Sequence, residues 1–226
     1  MTRQSSPRGD TRKNTYTDLG AIPGEALRIS EKSRKIARRE IGNETPEDRI
    51  RQRCSIAVGD LAMAGLLRFA HDPVAAGLSA LGRSAPLIAD IRMVQVGIQK
   101  KGHGSRVICA LDHAGKAHAE GITRTRAGIL ALRDEIDGAI VVIGNAPSAL
   151  LSLCDLIEEG CRPALVVGTP VGFVNAAESK ERLRSLPVPS ITNVGTRGGT
   201  PVAVAAINEI ITMFAENHPD RGHAEE

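Results

Sequence analysis

Three times in the second half of the chain, an apolar run stops abruptly on small, turn-forming residues and then gives way to a helix-like pattern. The first case is Val141-Val142-Ile143-Gly144-Asn145-Ala146-Pro147-Ser148. The second is Val167-Gly168-Thr169-Pro170-Val171-Gly172-Phe173-Val174-Asn175, leading into Ala176-Ala177-Glu178-Ser179-Lys180. The third is Gly195-Thr196-Arg197-Gly198-Gly199-Thr200-Pro201. A strand that ends in a tight turn and feeds a helix is the repeating unit of an open α/β sheet. Such sheets bind ligands in the crevice beyond their carboxyl ends. The feature therefore constrains both the fold and the place of any site.

The rest of the pattern agrees. After Pro86, strand candidates at 87–89, 107–111, 139–143, 164–167 and 190–192 alternate with helix candidates at 91–98, 125–135, 148–159, 177–186 and 201–216. Nearly continuous apolar strands between helices imply a mainly parallel sheet covered on both faces, a three-layer α/β/α sandwich. Upstream, helical periodicity dominates from Glu25 to about Ala80. A first helix is stopped by Gly42-Asn43. Thr45-Pro46-Glu47-Asp48 then reads as an N-cap with proline at the first helical position, opening a second helix expected to reach about Phe69. Asp72-Pro73 restarts a shorter helix ending near Ser84. We expect one α/β domain over residues 21–217 with this helical section at its start, a disordered lead-in over 1–20 and a flexible tail over 218–226.

Composition narrows the function classes. With three Phe, one Tyr and no Trp, the core must be aliphatic, and base stacking has almost no residues to use, so nucleic acid is not an expected partner. The formal charge is only +3, but residues 1–53 are dense in Arg and Lys, which suits an acidic ligand or a solvated helix face. Cys54, Cys109, Cys154 and Cys161 show no CxxC spacing and read as reduced thiols in a cytoplasmic protein. No run approaches the length of a membrane span, and Met1 to Thr17 lacks the apolar segment of a signal peptide. The six histidines, His71, His103, His113, His118, His218 and His223, include no pair at helical metal-site spacing, so no metal centre is expected.

The loops carry the chemistry. Gly144 lets the backbone turn tightly, and the helix start after it offers amide groups and a positive dipole end to an anion. Asn145 can cap that helix or bond a ligand. The two glycines and proline of the second loop leave room for a bulky ligand to approach the backbone. Glu178 and Lys180 can equally be first-turn helix charges. Arg197 in the third loop fits bidentate recognition of a carboxylate or phosphate. Thr123-Arg124-Thr125-Arg126 opens another helix and either holds a ligand carboxylate or forms surface ion pairs. None of these loops has the spacing of a phosphate loop or a dinucleotide fingerprint.

With these loops assembled, the chain resembles the precorrin-8X methylmutase family of cobalamin biosynthesis from about Ile29 to Met213. The motifs that carry the resemblance are Ile143-Gly144-Asn145-Ala146-Pro147, Pro170-Val171-Gly172-Phe173-Val174 with Ala176-Ala177-Glu178-Ser179-Lys180, and Gly195 to Gly199. It implies an isomerase that moves a methyl group from C11 to C12 of a tetrapyrrole, converting precorrin-8X to hydrogenobyrinic acid or the cobalt-containing equivalent to cobyrinic acid. It further implies a cytoplasmic homodimer with a flavodoxin-like sheet and no external cofactor. The polycarboxylate substrate would give the loop arginines and the basic N-terminal helices a purpose. The substrate-binding residues implied are Ser33, Arg53, Thr125, Arg126, Asn145, Pro170, Gly172, Glu178, Ser179, Arg197, Gly198 and Gly199.

One position departs from the family pattern. The second helix there carries Arg-x-x-His, in which the histidine is the acid/base that protonates the ring. Arg53 matches the arginine, and the histidine position is Ile56. Arg53, Ala57, Gly59 and Phe69 fix the register, and Ala85-Pro86, Asp90, Met93-Val94 and Gly97 continue it without a gap. Isoleucine exchanges no proton, and general acid/base assistance is worth roughly 10²–10⁴ in rate, or about 3–5 kcal/mol of barrier. Three readings follow: a working methylmutase whose proton comes from Ser55, Asp60 or a histidine brought in by folding or by a partner subunit; a mutase for a modified corrinoid; or a non-catalytic paralogue that carries, stores or senses a corrinoid.

Overall fold

The structure is a computed structural model that describes residues 24–115 and 121–219. The lead-in expected over 1–20 lies outside the described residues, as does the expected tail beyond Pro219. The strands are β1 (Leu67–Ala70), β2 (Leu87–Ala89), β3 (Val107–Cys109), β4 (Ile140–Ile143), β5 (Leu165–Gly168) and β6 (Ser190–Asn193). They form a single sheet in the order β1-β6-β5-β4-β2-β3, parallel throughout except for β1, which runs antiparallel to β6. Read from the β3 edge, the parallel strands occur as second, first, third, fourth and fifth in chain order. That is the flavodoxin-like doubly wound arrangement, with its switch point between β2 and β4. Every residue of β2, β4, β5 and β6 is buried, which explains the unbroken apolar character of β2, β4 and β5; β6 buries Ser190, Thr192 and Asn193 beside Ile191.

Helices cover both faces. The helices α1 (Gly24–Ile41), α2 (Pro46–Val58) and α3 (Met63–Leu66) precede β1, and α4 (Pro73–Gly82), α5 (Arg92–Gly97), α6 (Arg124–Ala131), α7 (Pro147–Glu158), α8 (Ala176–Ser185) and α9 (Thr200–Asn217) then alternate with the strands. One aliphatic cluster joins α2, α4, α5 and α9 to the sheet through residues such as Ile50, Leu81, Leu87, Ile207 and Phe214. A second joins α6, α7 and α8 to the opposite face through Ile88, Ile129, Val141, Leu150 and Leu183. The four cysteines are buried and unbonded within these layers.

The start of α2 follows from its sequence. Thr45 Oγ1 accepts the Asp48 amide at 3.2 Å, and the Asp48 carboxylate accepts the Thr45 amide at 3.1 Å, a reciprocal capping box with Pro46 behind it. Its end corrects the reading that carried this helix to Phe69. Gly59 adopts the left-handed conformation at φ 67° and closes the helix by donating to Ile56 and Ser55 carbonyls. The chain is thereby released to form β1, which pairs Leu67 with Asn193 and Phe69 with Ile191. The second strand region is also shorter than expected: after Cys109 the chain enters a 3₁₀ turn over Ala110–His113. Helix α6 ends at Ala131, with a separate 3₁₀ turn at Arg133–Glu135.

Candidate active site

The carboxyl edge of the sheet is organised around a buried acid. Asp90 follows β2 at the switch point and is fully buried. Its carboxylate accepts the amides of Gly144 at 3.2 Å, Asn145 at 2.9 Å and Ala146 at 2.9 Å. These three donors were expected to face a ligand anion; Asp90 already occupies them. Burial pushes the Asp90 carboxyl above its ordinary value, while the three amides pull the other way. The Gly144 turn is also sterically fixed. A side chain there would meet Val94 Cγ2 at 2.9 Å and the Thr200 Cα at 3.0 Å, so glycine lets the start of α9 come against this loop.

Beside that junction lies a cleft of about 350 Å³ between α1, α2 and α9, lined by Arg34, Arg38, Arg49, Gln52, Arg53, Ile56, Ala57, Pro201, Val204, Ala205 and Asn208. Arg53 and Ile56 sit together in it, one helical turn apart on α2. The Arg53 guanidinium is buried and donates to Glu209 Oε2 at 3.1 Å and Thr212 Oγ1 at 3.0 Å on α9. The Glu209 carboxylate is wholly buried and also pairs with Arg49 at 2.8 Å, which in turn reaches Glu216 at 2.7 Å. The cleft is therefore an arginine-rich wall braced by acids behind it. Ser33 is half-buried on α1 and gives its hydroxyl to its own helix at Ile29 O, 3.0 Å away; its neighbours Arg34 and Arg38 are the α1 residues that enter the cleft.

The second and third glycine-rich loops form one stitched rim. The Gly199 amide donates to Thr169 O at 2.7 Å, and the Gly172 amide to Thr196 O at 3.1 Å. At Gly198, φ is 145° and a side-chain carbon would lie 2.4 Å from Thr169 O. The Arg197 guanidinium pairs with Asp60, just past α2, so the rim is tied to the cleft. Pro170 and Ser179 are buried, and the Ser179 hydroxyl donates to Ala176 O at 3.1 Å. Glu178 is exposed on the first turn of α8. Further along the edge, the starts of α6 and α7 meet: the Thr123 and Thr125 hydroxyls lie 2.8 and 3.4 Å from Ser148 Oγ, with Arg126 and Asn145 exposed beside them.

The family model for precorrin-8X methylmutase matches residues 28–213 of this chain. The chain belongs to the precorrin-8X methylmutase family. Cobalt-precorrin-8 methylmutase of Methanocaldococcus jannaschii is 43% identical over 213 residues, covering 88% of this chain and 99% of that protein. The protein of the same name from Priestia megaterium is 40% identical over 205 residues, covering 86% and 91%. Among solved structures, the precorrin-8x methyl mutase of Thermus thermophilus aligns with a TM-score of 0.78 at 36% identity, covering 84% of this chain and 97% of that one. The chain is thus a methylmutase-type isomerase of cobalamin biosynthesis.

The proton donors weighed for a methylmutase lacking a histidine at Ile56 fare differently in the structure. The hydrogen bond from Arg197 holds the Asp60 carboxyl below its ordinary value, so near neutral pH it is an anion with no proton to give. Ser55 is buried outside the cleft lining, its hydroxyl without a partner. Among the described histidines none lines the cleft. His218 stacks on Phe214 at 4.3 Å, and His103 borders a separate cavity next to Lys100 and Ser105. Two groups that bear on the site were not singled out as site residues: Asp90 behind the first loop, and Lys180, which is fully buried beneath the third loop. For Asp90 the signal was its apolar company, since a charged residue amid an apolar pattern must find partners inside; Lys180, among Glu178, Glu181 and Arg182, carried no such signal.

Proposed function

We propose that this protein converts precorrin-8X, or its cobalt-containing counterpart, by moving a methyl group from C11 to C12, and that the cleft between α1, α2 and α9 together with the loop rim is the site. The observation that carries the reading is the arginine-lined cleft set at the carboxyl edge, beside the doubly wound sheet's switch point. A volume of about 350 Å³ suits part of a tetrapyrrole, so the flat macrocycle extends from the cleft over the rim. Its peripheral carboxylates then meet the guanidinium groups of the cleft, Arg197 on the rim, and the hydroxyls of Thr123 and Thr125. The chain's own contribution is to bind, orient and partly desolvate the ring; position 56 adds an apolar surface and exchanges no proton.

The working form is a homodimer. Ile29 and Ile36 on α1, and Phe173 and Val174 on the rim, are exposed apolar side chains, with Phe173 96% accessible; such surface is ordinarily covered by a partner or ligand. Light scattering of the purified protein tests this. Turnover is tested by mixing the protein with precorrin-8X and following the visible absorption bands. Conversion is the expected result. Binding without conversion, with turnover gained by Ile56→His, would transfer the site to the carrier reading, and failure to bind either precorrin-8X or hydrogenobyrinic acid would end the corrinoid assignment.

A further inference from the structure

Lys180 has no exposed surface. Its ammonium donates to Arg197 O at 2.6 Å and to Asn193 Oδ1 at 3.3 Å, and among the described residues no carboxylate forms an ion pair with it. Asn193 repeats the grip, donating from Nδ2 to Arg197 O at 2.5 Å. Two groups thus converge on one carbonyl at the apex of the Arg197-Gly198-Gly199 turn. Beneath the same turn the Thr169 hydroxyl is buried with no partner. A buried cation with no acid beside it is costly to the fold.

The charges around it make the point sharper. The Arg197 side chain is neutralised by Asp60, Arg184 on the same helix pairs with Glu181, and on α7 both Asp155 and Glu158 are taken by Arg182. From β6, Thr192 and Asn193, both uncharged, hydrogen-bond to this helix. The rim's one unbalanced positive charge among the described residues is therefore Lys180.

We propose that Lys180 is the positioning residue of the rim: its buried ammonium pins the Arg197 carbonyl, aims that turn at a substrate carboxylate, and supplies the positive charge that the Arg197–Asp60 pair has cancelled. This rests on the reading of the ligand as a polycarboxylate tetrapyrrole. Desolvation, reinforced by Arg184, brings the Lys180 pKa from its ordinary 10.5 down to about 8. The folded state therefore holds this proton less tightly than the unfolded chain. The stability cost is fully present below pH 8 and disappears as pH rises past the unfolded value. Ligand affinity runs the opposite way, falling as the ammonium is discharged.

The test is an absorbance titration with hydrogenobyrinic acid on either side of pH 8, alongside thermal unfolding, using the parent, Lys180→Met, Arg197→Ala and the double variant. We expect Lys180→Met to unfold no earlier than the parent at neutral pH, to bind about tenfold more weakly, and to lack the parent's alkaline loss of affinity. Because Arg197→Ala leaves in place the carbonyl that Lys180 grips, the double variant should add the loss of Lys180→Met to that of Arg197→Ala. If Lys180→Met binds as the parent does, keeps the alkaline limb, or adds nothing to the effect of Arg197→Ala, the proposal is overturned while the assigned function stands. A parent that binds no tetrapyrrole overturns both.

Discussion

The cleft and the rim meet the same ligand with opposite materials. The cleft wall is made of long side chains on α1, α2 and α9, held by ion pairs from Arg49 and Arg53 to Glu209. The rim is made of backbone, held by amide-to-carbonyl bonds and by glycines where a side chain would collide. A charge wall is tuned by salt and by substitution; a backbone rim tolerates almost no change of shape. The cleft should therefore govern affinity, and the rim should govern geometry.

The hardest blow to that division is Arg53→Ala. It removes a guanidinium from the cleft while Glu209 stays fully buried against Arg49. A charge-assisted contact is worth about 2–3 kcal/mol, so affinity for hydrogenobyrinic acid should fall by about 30- to 150-fold. The parent's binding should also weaken with added salt more steeply than the variant's. A loss smaller than about threefold in the same titration would place Arg53 among structural residues only.

On the rim, Gly198→Ala adds one carbon that would sit 2.4 Å from Thr169 O, at a φ of 145°. We expect a cost of about 2–3 kcal/mol in denaturant unfolding, with turnover suffering more than the affinity measured at the cleft. Equal losses in turnover and binding would dissolve the distinction between the two regions.

Asp90→Asn probes the base that both regions share. The amide keeps one acceptor oxygen where the carboxylate served three N–H groups, so the protein should lose about 2 kcal/mol near neutral pH. The pH dependence has a definite sign. Burial raises the Asp90 pKa above 3.8, so the folded protein holds that proton more tightly than the unfolded chain. Stability therefore declines as pH climbs from the ordinary value through the raised one. Unfolding curves across that interval should show the decline in the parent and its absence in the variant.

What could be read in the sequence divides along the same line. Glycine, proline and asparagine encode backbone shape locally, so the three loops, the strand-to-helix alternation and the Thr45 cap were all visible in one dimension. Charges on helices encode nothing until packing decides which face is buried. Arg34 and Arg38 in the cleft, and Lys180 beneath the rim, looked the same as solvated helix charges. Ser33, chosen through the family pattern, spends its hydroxyl on its own helix. Strand β1 escaped because four residues carry little periodicity and its partner β6 lies far along the chain; the left-handed Gly59 was the legible clue that α2 had to stop.

The smallest effect tests the part of the cleft most firmly written in the sequence. Thr45→Ala removes the oxygen that accepts the Asp48 amide but leaves Pro46 and the acidic first turn in place. Loss of an N-cap costs about 1 kcal/mol, which in a chain of this size lowers the unfolding midpoint by about 2–4 °C. Because Arg53 and Ile56 lie two turns and more beyond the cap, and α2 is clamped along its length against α9 by Arg49 and Arg53, fraying at the start should not reach them. Tetrapyrrole affinity should therefore stay within about twofold of the parent. A larger loss of binding, with the same small shift in midpoint, would mean that the cleft's shape depends on how α2 begins, and that the acids on α9 do not by themselves hold its arginines in place.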